Sequence, residues 1–305
     1  MKRSIERIIP QPAAPGMVGD GFRVYNYIPG GGGLPGSEIP QERISPFLML
    51  DFNAEIDFGP SAQVRGVGVH PHKGFETVTV AYKGSVAHAD SAGNSGTINP
   101  GDVQWMTAGA GILHKEFHEE NFSKSGGPFE MVQLWVNLPK RHKLTPPHYQ
   151  TLTADNMGRV VLPNGQGHVN VIAGTFVNQG SVAAGPGSVA GPAQTYTPIN
   201  LFDIRLNKGG RTTTSVPAGH NTALLLVNGS AEVNGEPAPE HSFVLFGNIG
   251  EDIDISSSEG AVILLLSGEP IDEPIVAYGP FVMNTREEIV DSIREVQAGK
   301  FGELE

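Results

Sequence analysis

From about residue 64 to 138, short apolar runs alternate with breaks of Gly, Asn, Asp and Pro, as in Thr77–Tyr82, Gly101–Met106 and Met131–Leu138. Runs this short, bounded by turn residues, predict the strands of an all-β sandwich or barrel. The second half repeats the pattern. Val78–Tyr82 leads into Lys83-Gly84-Ser85, and Leu224–Val227 leads into Asn228-Gly229-Ser230. Met131–Leu138 ends at Pro139, and Ala261–Leu266 runs to Pro270. Two similar β-units are therefore expected: residues 1–139, a polar, Pro-containing linker over 140–150, and residues 151–305. The chain closes on a predicted helix. Thr285 and Glu288 form a capping box, Ile289, Ile293 and Val296 share one face, and Gly299 lies past the end. A helix this short and one-sided needs a barrel to dock on.

Composition narrows the chemistry. The 305 residues include 40 Gly and 24 Pro with no collagen period, which fits many tight turns. Gly30 to Gly33 form a glycine loop without a following Lys-Ser/Thr, so it reads as a surface turn and not a phosphate cradle. The net charge is −12 with no basic stripe, which argues against direct nucleic-acid binding. No apolar run is long enough to span a bilayer and no signal-peptide core opens the chain, so a soluble cytoplasmic protein is expected. There is no cysteine, so a metal site must be built from His and carboxylates.

Five of the ten histidines fall between residues 70 and 118. His70-Pro71-His72 is H-x-H and His114-Lys115-Glu116 is H-x-E. On a strand, positions i and i+2 share a face, so each pair projects two ligands into one interior. Two such strands side by side supply three imidazoles and one carboxylate. That set leaves two adjacent positions of an octahedron open, as suits non-haem Fe(II); Ni, Mn, Cu or Zn are alternative occupants.

These residues resemble the pirin family of the cupin superfamily. Gly68-Val-His70-Pro-His72-Lys-Gly74-Phe-Glu76-Thr-Val resembles the first cupin motif in its pirin form. The segment from Pro100-Gly101-Asp102 through Trp105-Met106-Thr107 to Gly111-Ile-Leu-His114-Lys-Glu116 resembles the second. Thr107 in place of the usual Pro, and Glu116 in place of a downstream Asn, both fit pirin. The likeness continues through Gln133–Pro139, Pro147-His-Tyr149-Gln150 and Gly279–Thr285. It implies two cupin (jelly-roll-type) β-barrels in tandem, with iron on the residues matching His70, His72, His114 and Glu116.

Glu76 shares nominal strand parity with His70 and His72 and ligates in other cupins. The resemblance gives the fourth position to Glu116 and leaves Glu76 as a pocket or salt-bridge residue; either carboxylate is a candidate proton acceptor. His118 is expected to be exposed, with a pocket rim as the alternative. His88 and Asp90 are expected to form a structural hairpin pair. Phe52, Phe75, Trp105 and Met106 are expected in the core, or lining a pocket for an aromatic ligand. Aligning Gly84 with Gly229 sets Ser215, Pro217 and Asn221 opposite His70, His72 and Glu76, so the second barrel is expected to be degenerate. The resemblance leaves two functions open. One is a quercetin 2,3-dioxygenase acting on a flavonol and O2, in which the metal stabilises the substrate enolate and the ring opens with loss of carbon monoxide. The other is a non-catalytic, redox-sensing regulator that binds a protein partner.

Overall fold

The computed structural model describes residues 1–29, 39–177 and 188–305; the glycine loop at Gly30–Gly33 lies outside them. The all-β expectation holds, with one longer helix near the C-terminus, Arg286–Gln297. None of the described helices is long and apolar enough to cross a membrane.

The chain divides into two compact units. The first comprises residues 12–41, 46–154 and 271–305. Its seven-stranded antiparallel sheet runs His148–Leu152, Val103–Thr107, Phe75–Lys83, Gly127–Asn137, Phe47–Phe58, Phe22–Pro29, Gly16–Val18. A four-stranded sheet, Gly66–His72, Ile112–His118, Val86–Asp90, Ser95–Ile98, faces it. Apolar side chains from both sheets meet between them, Ala81 and Met131 against Val86 and Ile98, and Met106 against Ile112.

The second unit comprises residues 1–11, 42–45 and 155–270, and repeats the plan strand for strand. Its seven-stranded sheet runs Ile5–Ile9, Phe243–Phe246, Asn221–Asn228, Ala261–Gly268, Ile199–Leu206, Gly167–Ala173, Gly158–Leu162. Its four-stranded sheet runs Arg211–Ser215, Asp252–Ser256, Ala231–Val233, Glu236–Ala238. Gly84 and Gly229 turn the chain at matching strand ends, both at positive φ where a side chain is strained.

The expected boundaries are corrected at three places. Residues 148–150 are not linker and 151–152 do not open the second unit, since His148–Leu152 pairs with Val103–Thr107 as the edge strand of the first unit. The matching edge strand of the second unit is Ile5–Ile9, from the start of the chain, paired with Phe243–Phe246. The terminal helix, assigned by sequence to the second unit, packs on the first. Its Ile289, Ile293 and Val296 join Leu113, Phe281, Met283 and Phe301. The capping box forms as expected. Thr285 Oγ1 accepts from the Glu288 amide at 3.2 Å, and Glu288 accepts from the Thr285 amide at 2.9 Å.

Candidate metal centre

The H-x-H and H-x-E segments lie on neighbouring strands of the four-stranded sheet of the first unit. Gly66–His72 pairs antiparallel with Ile112–His118, and His114 stands opposite His70. The alternating burial of Ile112–His118 puts Ile112, His114, Glu116 and His118 on the inner face. His70, His72 and His114 converge, with one ring nitrogen from each within 4.8 Å of the others. Their ring centroids are 4.1–4.9 Å apart.

The ring nitrogens suit a cation. His70 donates from Nδ1 to the Gly68 carbonyl at 2.8 Å, which leaves Nε2 as its electron-pair donor. His114 is buried with neither nitrogen hydrogen-bonded among the described residues, and His72 Nδ1 is likewise unpartnered. The backbone of Pro280 acts on the His72 ring in the opposite sense to burial, raising it. Burial, reinforced by the neighbouring imidazoles, holds His72 and His114 well below the usual histidine range, and burial lowers His70. The three rings are thus neutral at physiological pH, the form that ligates. Buried polar atoms left unpaired cost roughly 1–3 kcal/mol each, a cost that a bound divalent ion removes. The residues present therefore fit a metal.

Glu116 lies beside the cluster and not within it. The register slips between His114 and Glu116, so that Glu116 stands opposite Val67. Its carboxylate turns toward the seven-stranded sheet, where Gln133 Nε2 donates to it at 3.1 Å. Burial pushes Glu116 up to about 7 against the lowering effect of that bond.

Glu76 does not face the cluster. Gly74, at φ +87°, ends the H-x-H strand, and Phe75–Lys83 continues in the other sheet, so strand parity does not carry across the bend. Glu76 pairs with Val136 and Thr107, whereas Thr77 pairs with Trp135. Trp135 packs on His72 and Gln133 reaches Glu116, so the odd-numbered positions of both strands point inward and Glu76 points outward. There it accepts from Thr107 Oγ1 at 2.6 Å, and burial raises it to about 7. A catalytic role for Glu76 at the metal is thereby withdrawn.

Other residues sort by the same register. Phe75 packs on His72 and Met106 on Ile112, while Trp105 and Phe52 lie on the outward face, paired with Val78 and Val132. His118 is buried and not exposed. Its Nε2 donates to the Gly21 carbonyl at 2.8 Å, within a box of Phe22, Phe58, Phe122 and Phe129. Asp90 does cap its hairpin, accepting from the Ala92 and Asn94 amides. His88 turns inward instead, stacked on Tyr149, whose hydroxyl lies 2.6 Å from its Nε2. Tyr149 and Gln133 stood in the sequence only within the family likeness, with no role assigned, and the inward row Asn26, Asp51, Gln133, Thr79, Gln104, Thr151 was not singled out. Its members are cross-strand partners in succession along the seven-stranded sheet. Alternate polar residues on successive strands were the available signal.

In the second unit the inward positions are one residue away from the expected Ser215 and Pro217. Thr214 pairs with Ile253 as His70 pairs with His114. Thr214, Val216, Ile253 and Ile255 thus take the positions of His70, His72, His114 and Glu116, and the last three sit in the apolar core.

Residues 32–136 match the family described as Pirin, and residues 201–302 match the Pirin C-terminal cupin domain. A Pseudomonas aeruginosa protein named "Putative quercetin 2,3-dioxygenase" is 44% identical over 284 residues, 93% of each chain. Pirin-like protein 2 of Arabidopsis thaliana is 39% identical over 275 residues, 87% of this chain and 78% of that one. The crystal structure of quercetin 2,3-dioxygenase from Acinetobacter baumannii superposes with a TM-score of 0.88 at 41% identity, covering both chains fully.

Proposed function

The chain belongs to the pirin family, and from that premise we propose that it is a metal-dependent dioxygenase that opens flavonols of the quercetin type. The observation that carries this reading is the trio His70, His72 and His114, which brings one ring nitrogen from each together and leaves both nitrogens of the buried His114 without a hydrogen bond among the described residues. The names borne by its relatives in Pseudomonas and Acinetobacter supply the substrate class.

His70, His72 and His114 would hold the ion, with Glu116 as fourth ligand. A divalent ion there, Fe(II) by preference, supplies positive charge that favours an enolate over an enol, and redox chemistry toward O2. The chain's own residues do the rest. Glu116, buried and held by Gln133, accepts the proton of the flavonol's enolic hydroxyl. Trp135 and Phe75, packed on His72, present aromatic surface beside the centre. Tyr149 and His88, bonded to each other, supply hydrogen-bonding groups on the inner face.

The test is anaerobic reconstitution with Fe(II) followed by oxygen-uptake measurements across a flavonol panel, with Zn(II)-loaded protein in parallel. Uptake by the iron form with little from the zinc form is expected, because Zn(II) has no accessible redox change. No uptake by the iron form across the panel would move the assignment to a metal-sensing regulator.

A further inference from the structure

Residues 271–305 leave the second unit and return to the first, where they meet both ligand-bearing strands. On the H-x-H side, Lys73 forms a parallel bridge with Phe281. The Lys73 amide donates to the Pro280 carbonyl at 3.2 Å, and the Val282 amide donates to the Lys73 carbonyl at 3.0 Å. Gly74 is pressed so close that a Cβ there would strike the Val282 carbonyl. Lys143, itself buried, ties the Gly74 and Val282 carbonyls together from one ammonium, at 2.9 and 2.8 Å. Lys73 Nζ pairs with Glu295 on the terminal helix.

On the H-x-E side, the Phe301 ring occupies the space where Gly111 would carry a Cβ, one residue before that strand begins. The Phe301 carbonyl accepts from Ser91 Oγ at 2.5 Å, and Ser91 Oγ in turn accepts from the Leu113 amide at 3.0 Å. Leu113 immediately precedes His114 and packs against the helix. The terminal arm thus grips the chain beside His72 at one end and beside His114 at the other.

We propose that this arm, Pro280 to Phe301, positions the two ligand strands, with Pro280 and Val282 fixing Lys73, the residue after His72, and Phe301 fixing the segment that leads to His114. The proposal rests on the metal assignment and not on the dioxygenase activity. Groups that orient ligands from outside the coordination sphere typically change metal affinity by roughly 10–100-fold when removed. Coupling of this kind is reciprocal: an arm that tightens metal binding is itself held tighter by the metal.

The experiment measures Mn(II) affinity, by electron paramagnetic resonance titration, in the wild type, Phe301→Ala, Phe301→Leu and Glu295→Gln. Hydrogen exchange of Arg286–Gln297 is followed with and without Mn(II), and circular dichroism checks the fold. Affinity should fall about tenfold or more in Phe301→Ala, less in Glu295→Gln, and recover in Phe301→Leu. Exchange of the wild-type helix should slow on loading by a comparable factor. Glu295→Gln keeps the side chain's size and removes only the carboxylate that pairs with Lys73 and Lys300, so it keeps the test open should Phe301→Ala fail to fold. Loosened helices with wild-type affinity, or helix exchange indifferent to Mn(II), would overturn the proposal. A wild type that does not bind Mn(II) would overturn the metal assignment and this inference together.

Discussion

Glu116 and Glu76 are both buried, and burial pushes each up to about 7, yet only Glu116 lies on the inner face with the histidine trio. Glu116→Gln should lower Fe(II) retention by roughly tenfold or more, whereas Glu76→Gln should leave it close to wild type. Equilibrium dialysis against a competing chelator measures both, and comparable loss in the two variants would contradict the assignment. Asp51 offers a separate test in the same interior. Burial raises it to about 6, against the lowering effect of its bond from Asn26. Its unfolded value is about 3.9, so between these limits the folded state binds more protons. Stability should therefore fall as pH rises from about 4 to 6 and then level, by on the order of 3 kcal/mol. Comparing melting temperatures of wild type and Asp51→Asn across that window isolates the effect, and identical slopes would contradict it. The histidine trio was legible because i, i+2 spacing survives within one strand. Glu76 was misread because Gly74 transfers the chain from one sheet to the other, and His118 because parity kept it inside where its polarity suggested the surface.

At the level of elements, local signals were read well and partners poorly. Thr285 and Glu288 form the predicted capping box, and the apolar stripe of the helix packs on the first unit as its spacing required, Ile289 buried and Ile293 and Val296 partly so. Which unit receives that stripe was not legible, since a short amphipathic helix carries no mark of its docking site. Thr285→Ala should destabilise the helix by about 1 kcal/mol, the usual worth of an N-cap hydroxyl. Hydrogen exchange restricted to Arg286–Gln297 reads this directly, and an unchanged exchange rate would show that packing alone holds the helix. The same limit explains the edge strands. His148–Leu152 looks like a polar linker because only one of its sides is paired, and Ile5–Ile9 finds its partner more than two hundred residues away. Non-local pairing leaves no trace in local composition.

For the whole molecule, the internal repeat was visible in the turn motifs, and the sheet orders now match strand by strand. The two interiors have diverged. The first keeps imidazoles and carboxylate at the four inward positions, and the second fills them with Thr214, Val216, Ile253 and Ile255. The Gly84–Gly229 alignment pointed to the right strands but slipped by one position. A one-residue slip exchanges every inward side chain for an outward one. The central claim is that one ion binds per chain, held by the histidines of the first unit. It is tested most directly by elemental analysis after anaerobic Fe(II) loading and desalting, in the wild type and His114→Ala. About one iron per chain in the wild type and essentially none in the variant is the expected result. Two irons per wild-type chain, or full occupancy in His114→Ala, would contradict it.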